Sequence, residues 1–199
     1  MIGYGAETGT RPVTNLEKTM ELMVSEAEEM RYVELQLLAL DAARNGDSDT
    51  LSALIRSGLP VNLQDLKGNT LLMLASYHGH ADIVSALLDC GAIPDRRNLR
   101  NQTPLGSVAS KGYIDVAKLL LDAEADPNAD QGGGTTPLML ASLFGRTDMV
   151  RLLTQRGAST NARNRWGFSA RLLGHLFQIT SKIRHPFQAA TPSLSPHLR

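Results

Sequence analysis

Glycines recur in this 199-residue chain at a fixed interval of 33 residues. The clearest series comprises Gly46, Gly79, Gly112 and Gly145. An aspartate stands three residues after each of these glycines and a leucine eight residues after it. The leucine column consists of Leu54, Leu87, Leu120 and Leu153. A constant period of this size is the signature of a repeat architecture, so the chain is predicted to stack copies of one small unit.

Each period contains two stretches with apolar residues at helical spacing. In residues 70–95, a short apolar stretch is broken at Gly79, and a second one with Ile83 and Leu87 on one face stops at Gly91. A polar turn rich in Pro, Asn and Asp follows. Neither helix is long enough to be stable alone, and each pair exposes an apolar face that only a neighbouring pair covers. The predicted fold class is therefore all-α, with stacked helix-turn-helix units.

Two columns predict backbone in the left-handed region. The column of Gly91 contains Glu124 in a later unit, and the column of Gly68 contains Asn101. Asparagine is the residue that best replaces glycine where φ is positive. A glutamate that keeps this conformation would carry a strain of about 1–2 kcal/mol.

The repeated segments resemble a known family, the ankyrin repeats, whose pattern runs T-P-L-H, then G-H, V-x-x-L-L and G-A-D-x-N. The matching units read GNTLLMLASYHGHADIVSALLDCGAIPD, NQTPLGSVASKGYIDVAKLLLDAEADPN and GTTPLMLASLFGRTDMVRLLTQRGASTN. A degenerate unit, LQLLALDAARNGDSDTLSALIRSGLPVN, precedes them. The resemblance covers about Leu35 to Ala170 and extends to small stand-alone microbial ankyrin proteins. It implies an ankyrin-repeat solenoid that binds another protein.

The chain departs from this pattern at the histidine that follows T-P-L. Met73, Gly106 and Met139 replace it, so apolar packing is expected to substitute for the hydrogen bonds that the resemblance implies. After Gly167 the pattern fails, and FSARLLGHLFQIT is predicted to form a C-terminal capping helix.

An N-terminal capping helix is predicted from the capping box of Thr14 and Glu17 and from apolar residues at helical spacing, including Ala27 and Met30. We expect this helix to cover the first repeat. The predicted segments are a flexible N-terminus at 1–13, the N-terminal capping helix at 14–34, the repeats with the degenerate first unit and C-terminal cap at 35–177, and a disordered tail at 178–199.

Charge and cysteine content restrict the possible partners. Twenty basic and twenty acidic residues cancel, so no net field attracts nucleic acid or an anionic membrane. Cys90 is the single cysteine, which excludes an intramolecular disulfide framework. The N-terminus lacks the apolar core of a secretory signal, and no apolar run is long enough to span a bilayer. We expect a soluble, cytoplasmic monomer that binds another protein.

The resemblance implies that binding specificity resides at the loop tips and on the exposed side of the first helix of each unit. Those columns contain several apolar and aromatic residues in a chain with few aromatics, and exposed apolar patches mark partner sites. An alternative is that Leu143, Phe144, Trp166 and Phe168 pack against the capping helix. The predicted site comprises Leu66, Lys67, Asn69, Tyr77, His78, Leu99, Arg100, Gln102, Lys111, Leu143, Phe144, Arg165, Trp166 and Phe168.

No residue pattern predicts a catalytic site, a metal site or a cofactor. Cys90 is expected to be a buried structural thiol at the end of a second helix. His78 and His80 match no zinc-ligand spacing. The predicted function is a non-catalytic protein-binding module, an adaptor, scaffold or inhibitor that binds its partner protein through the concave face of the ankyrin-repeat stack. The alternative is an enzyme or redox protein that acts through Cys90.

Overall fold

The computed structural model describes the backbone of residues 15–184 and the side chains of residues 25–179. Within that range the regular structure is helical, apart from one isolated antiparallel bridge between Gln64 and Thr70. This confirms the predicted all-α fold class. The helices are α1 Asn15–Asn45, α2 Ser48–Arg56, α3 Leu71–His78, α4 Ala81–Asp89, α5 Pro104–Lys111, α6 Ile114–Asp122, α7 Pro137–Leu143, α8 Thr147–Gln155 and α9 Ala170–Arg184.

The contacts divide the chain into two compact units, residues 1–38 and 39–199, and the division falls within α1. In the first unit, the side chains of Ala27 and Met30 from the predicted apolar stripe are exposed. Thr14 of the predicted capping box lies outside the described residues. Coverage of the first repeat by this segment stays a prediction.

In the second unit, helices stack in two rows. The first helices of the repeats, α3, α5 and α7, pack side by side, and α9 packs on α7. The second helices, α2, α4, α6 and α8, form the other row. The leucine column lies in the core: Leu87, Leu120 and Leu153 are fully buried and Leu54 nearly so. Truncating one of these leucines to alanine would cost about 2–5 kcal/mol, so the stacking predicted from the period is confirmed and is essential to stability.

Threonines begin the first helices. The hydroxyls of Thr70, Thr103 and Thr136 accept hydrogen bonds from the backbone N–H three residues on, at 3.1, 3.4 and 3.3 Å. Pro104 and Pro137 follow two of them, at a position where a missing N–H costs nothing. Such caps are worth about 1 kcal/mol each, so this column fixes where each repeat restarts.

The 33-residue glycine column has a second cause besides positive φ. In each repeat, the residue after the glycine places its side chain over the glycine of the preceding repeat. A Cβ added at Gly46 would lie 2.9 Å from the ring of His80, and one at Gly79 would lie 3.1 Å from the ring of Tyr113. Arg146 lies over Gly112 in the same way. The glycines therefore let adjacent repeats approach closely.

Asparagines in the turns after the second helices join successive repeats. Asn62 Oδ1 accepts the backbone N–H of Ile93 at 2.9 Å, and Asn128 Oδ1 accepts that of Ser159 at 2.7 Å. Both bonds connect residues 31 positions apart. The turn column seen in the sequence therefore connects successive repeats through side-chain-to-backbone hydrogen bonds.

The two predicted left-handed positions are confirmed. Asn101 has φ 63° and Glu124 has φ 64°. The repeat geometry therefore holds a glutamate in a conformation that glycine adopts in the same column of other repeats, at a strain of about 1–2 kcal/mol.

The predicted C-terminal cap is helix α9, which continues to Arg184. The predicted boundary of a disordered tail at residue 178 is thus placed too early, because residues 178–184 are helical. The sequence contains no glycine or proline between Gly174 and Pro186, so nothing breaks the helix before that point. The rest of the predicted tail lies outside the described residues.

Candidate protein-binding groove

An open groove of about 500 Å³ lies between the first helices and the loops that precede them in the second unit. We call these loops the tips; they span residues 64–69, 97–102, 130–135 and 163–168. Met73, Leu74 and Leu140 form the apolar floor of the groove, and polar side chains form its walls. Consecutive repeats contribute to one continuous surface, which suits an elongated ligand rather than a small compact one.

A side-chain acceptor closes each tip. Asp65 Oδ1 accepts the backbone N–H groups of Lys67 and Asn69, both at 2.9 Å. Asn98 and Asn164 bond in the same way to the residues two and four positions on. Because such side chains replace a missing backbone partner, they hold the tips in one conformation.

The third tip is shifted by one residue. Gln131 stands where the acceptor column continues, and Asp130 takes over the role by accepting the N–H groups of Gly132 and Gly134, both at 2.8 Å. Three consecutive glycines, Gly132 to Gly134, form the end of this tip, so no side chain of its own stands there. The shift keeps the 33-residue period unchanged, so sequence spacing does not reveal it.

Gln131 compensates for a departure from the ankyrin pattern. A Cβ at Gly106 would overlap the amide of Gln131, so the glycine that replaces the expected histidine makes room for this side chain. Gln131 Oε1 accepts the backbone N–H of Thr103 at 2.9 Å, and its Nε2 donates to Thr103 Oγ1 at 2.8 Å. The expectation that apolar packing alone would replace the histidine's hydrogen bonds is therefore wrong at this junction.

Backbone hydrogen bonds join neighbouring tips. The N–H of Leu99 donates to the carbonyl of Lys67 at 3.0 Å, and the N–H of Arg165 donates to the carbonyl of Gly133 at 2.9 Å. These bonds join the first tip to the second and the third tip to the fourth, and between the second and third tips the Arg97 side chain donates to the carbonyl of Asp130.

Charged groups at the first end of the groove are paired. Arg44 lies 2.7 Å from Asp41 Oδ1 and 3.4 Å from Asp65 Oδ2. Burial acts to raise the pKa of Asp65, but the hydrogen bonds from Asn69 and Lys67 and the charge of Arg44 outweigh it and hold the pKa below its ordinary value. Asp65 is therefore an ionised structural group at neutral pH.

Aromatic and basic side chains meet on the first helices. The Lys111 Nζ lies 4.5 Å from the centroid of the Tyr77 ring, and the His78 ring packs edge-on against Tyr77 at 5.3 Å. Burial lowers the pKa of His78, and the neighbouring His80, Lys111 and Arg44 lower it further. His78 is consequently neutral at pH 7, and the groove's positive charge comes from lysine and arginine.

The groove brings together part of the predicted site. Asn69 and Gln102 are half-buried and bond to Asn98, so they support the tips rather than face solvent. Arg100 is exposed at the second tip. The predicted residues that line the groove are Lys67, Asn69, Tyr77, His78, Arg100 and Gln102.

The other predicted residues lie outside the groove's lining. Leu66 and Leu99 are exposed at the ends of their tips. Trp166 is 58% exposed, with the Arg165 guanidinium 4.7 Å from its ring centroid. Exposed side chains also occur at the remaining positions, which are Lys111, Leu143, Phe144 and Phe168.

Ten of the groove-lining residues were not in the predicted site, and they include the polar side chains of Arg44, Asp65, Asn98 and Gln131. Asp65 and Asn98 are one period apart, and Asn164 continues their column. The same 33-residue frame that revealed the glycines therefore carried the signal for the tip acceptors.

Cys90 is exposed, so its predicted burial is wrong. It is the C-cap of α4 and lies beyond the last helical turn that faces the core. Of the equivalent residues, Ser57 and Arg156 are also exposed and Ala123 is half-buried, so this column lies at the surface. Within the described residues, no group of three or more His, Cys, Asp or Glu side chains is arranged to hold a metal ion.

Among residues 15–184, no helix combines the length and the apolar character that crossing a membrane requires. Helix α1 is long enough in residues, but its sequence is rich in glutamate.

Helix pairs with a 33-residue period, joined by bonded tips along an open groove, define a helical repeat solenoid. The chain matches the family described as Ankyrin repeats (3 copies) over residues 39–131 and 101–164. It belongs to the ankyrin-repeat family, as its sequence motifs predicted. It is also 57% identical over 37 residues to an ankyrin repeat protein of Pseudomonas aeruginosa. That match covers 19% of this chain and 22% of the relative, so the chain spans about a fifth of that relative's length.

Proposed function

We propose that this chain is a non-catalytic protein-binding module, which acts in the cytoplasm as an adaptor, scaffold or inhibitor. Ankyrin repeats are generally protein–protein interaction modules. The groove of about 500 Å³ along the bonded tips is the observation that supports this role here. Its lining comes from consecutive repeats, so a partner segment would contact several of them at once.

The exposed side chains around the groove support the same proposal. Tyr77 is 46% exposed and Phe144 is 49% exposed, and both lie on or at the end of first helices. Tyrosine, tryptophan and arginine are enriched among residues that dominate binding energy. Arg100 adds an exposed cation between them along the repeat order.

A triple variant, Tyr77→Ala, Arg100→Ala and Phe144→Ala, tests the proposal. Proteins captured from a lysate of the source cells by the wild-type chain are quantified by mass spectrometry. We expect the specific partner to be lost from the triple variant. Because all three side chains are at least partly exposed, we expect the melting temperature to change little.

The matched control replaces three exposed residues on the opposite side, Arg56→Ala, Ile93→Ala and Arg151→Ala. It should retain the partner. Equal capture by both variants would contradict binding through the groove. A large fall in the melting temperature of the triple variant would assign its residues to the core instead.

A further inference from the structure

Charge is distributed unequally between the two sides of the second unit. The side that holds the tips and the first helices comprises residues 39–45, 64–78, 97–111, 130–144 and 163–168. It contains seven Lys or Arg residues against three Asp or Glu residues. The side that holds the second helices and the turns after them comprises residues 46–63, 79–96, 112–129 and 145–162. It contains ten acidic residues against six basic ones. The neutral composition thus conceals a basic side and an acidic side.

The two acidic groups of the tips are occupied. Asp65 accepts hydrogen bonds from its own tip and lies beside Arg44. Asp130 accepts two backbone N–H groups of the third tip. Their carboxylate oxygens are therefore engaged by hydrogen bonds within the tips. The exposed charge along the tips therefore comes from the basic side chains.

Three of these cations form a row. Lys67 and Arg100 occupy equivalent positions on the first and second tips, 33 residues apart, and both are exposed. The third tip has glycine at this position, but the side chain of Arg165 lies across it. A Cβ added at Gly133 would lie 3.1 Å from Arg165 Nε and 3.2 Å from its Cδ. The fourth tip therefore supplies the cation that the third tip lacks.

Aromatic rings accompany the row. Arg165 lies over the ring of Trp166, and Lys111 lies over the ring of Tyr77. Each pair offers an apolar face next to a positive charge. A ligand that suits this surface presents carboxylates together with apolar or aromatic side chains.

From the row and its aromatic neighbours, we infer that the partner segment is an acidic peptide whose carboxylates face Lys67, Arg100 and Arg165. The inference rests on the proposed function and specifies the chemistry of the partner. A carboxylate next to a guanidinium forms a charge-assisted hydrogen bond, so successive acidic residues of an elongated segment would be recognised by successive tips.

The observations favour a protein over a nucleic acid. The acidic side of the same unit cancels the basic side, and at physiological salt the field of the row extends only about 8 Å. A long polyanion that extends past the row would also approach the acidic side, which would repel it. A short acidic segment meets only the basic row, and its apolar side chains find the aromatic rings.

Selection from a random library of displayed 15-residue peptides on the full chain tests the inference. We expect the enriched peptides to be rich in Asp and Glu. The charge-reversal variant Lys67→Glu, Arg100→Glu and Arg165→Glu should weaken binding of the best acidic peptide at least about tenfold. Binding should also weaken as salt rises from 50 to 300 mM.

The control variant Arg56→Glu, Lys118→Glu and Arg151→Glu makes the same change in net charge on the acidic side. All three side chains are exposed, and the control should bind the peptide like the wild type. Equal loss in both variants would overturn the inference, because the effect would then come from net charge alone. Circular dichroism of both variants checks that they fold.

The remaining outcomes separate this inference from the proposed function. Enriched peptides that are neutral or basic, yet lose binding in the Tyr77/Arg100/Phe144 alanine variant, overturn the acidic partner and leave the groove as a protein-binding site. Peptides that bind regardless of both variants overturn the proposed function as well. Tighter binding of a fluorescent 20-nucleotide single-stranded RNA than of the best peptide overturns the inference in favour of nucleic acid. Preferential binding of a peptide with the sequence of residues 15–34 of this chain also overturns the inference, because the partner would then be a second copy of the chain.

Discussion

Asp95 stands in the turn column where Asn62 and Asn128 join successive repeats. Its Oδ2 accepts the backbone N–H of Asp126 at 2.8 Å, as the asparagine oxygens do with their own partners. Its Oδ1 is buried without a hydrogen-bond partner. In the next repeat, the Nδ2 of Asn128 fills the equivalent place and donates to the carbonyl of Gly157 at 3.3 Å. The carbonyl equivalent to that of Gly157 belongs to Glu124, so Asp95 offers an acceptor where a donor is needed.

Asp95→Asn should therefore stabilise the protein. A buried polar atom without a partner costs about 1–3 kcal/mol. Because only one of the two carboxylate oxygens lacks a partner, we expect a gain near the lower end, ~1 kcal/mol at pH 7. For a chain of this size that gain raises the melting temperature by about 2–4 °C. Urea unfolding at pH 7, monitored by circular dichroism, measures the free energy of unfolding.

The pH dependence tests the cause. Burial raises the pKa of Asp95 above its ordinary value of 3.8, and the nearby Asp126 carboxylate raises it further, against the hydrogen bond from the Asp126 N–H. A carboxyl group whose pKa is raised on folding destabilises the fold when it is ionised. As pH falls through the raised pKa toward 3.8, the wild type regains this stability. The advantage of Asp95→Asn should consequently shrink between pH 7 and pH 4.

Asp126→Asn is the control. It removes a neighbouring negative charge but keeps the backbone N–H that Asp95 accepts, so its gain should be only a few tenths of a kcal/mol. Equal gains in the two variants would show that charge repulsion, not the missing donor, is the cause. A loss of stability in Asp95→Asn, or an advantage independent of pH, would refute the reasoning.

Three further predictions concern a buried hydroxyl, a close contact at a glycine and the exposed thiol. Ser76 has a fully buried hydroxyl without a partner, whereas the Ser142 hydroxyl donates to a carbonyl at 2.9 Å. Ser76→Ala should leave stability unchanged or raise it, and Ser142→Ala should lower it by about 1 kcal/mol in urea unfolding. Gly79 and Gly91 have φ of 84° and 83°, but only Gly79 has a ring of the next repeat over it. Both alanine variants carry the left-handed strain, so a larger loss of thermal stability in Gly79→Ala measures the close contact. Because Cys90 is exposed, iodoacetamide should label it in the folded protein, with mass spectrometry as the readout, and partner capture should persist.

The sequence predicted those features that depend on the period. The leucines of the core, the glycines between repeats and the positive φ of Asn101 and Glu124 all occupy columns in which several repeats place the same kind of residue. Each column averages over repeats, so a single departure such as Glu124 does not hide the common conformation. For the same reason, the family and the fold class could be predicted from the sequence alone.

The exposure of Cys90 was not predicted, because the residue type suggested burial. The role of Gln131 was not predicted, because its position in the repeat does not show which residue it contacts. Cysteine is usually buried, but the column that contains Cys90 caps the second helices at the surface. Gln131 stands in the column of the tip acceptors, and its actual contact is with Thr103 of the preceding repeat. A shift of one residue that keeps the loop length leaves no trace in the period.

The predicted binding site was only partly assembled by the structure, and this too has a physical cause. The columns taken from the family pattern identify positions that face away from the core. They do not tell which of these side chains the loops require for themselves. Asn69 and Gln102 serve the tips, whereas Lys67 and Arg100, each two positions away, remain free to face a ligand.

Two junctions show how departures from a repeat pattern are compensated by the following repeat. Gly106 lacks the side chain that would bond its helix start, and Gln131 reaches back to supply those bonds. The third tip has only glycine at its end, and Arg165 reaches back from the fourth tip to cover it. The surface at these two junctions is therefore built in part from the segment that follows. Loss of the Arg165 side chain should consequently weaken binding at the third tip, although Arg165 itself belongs to the fourth tip.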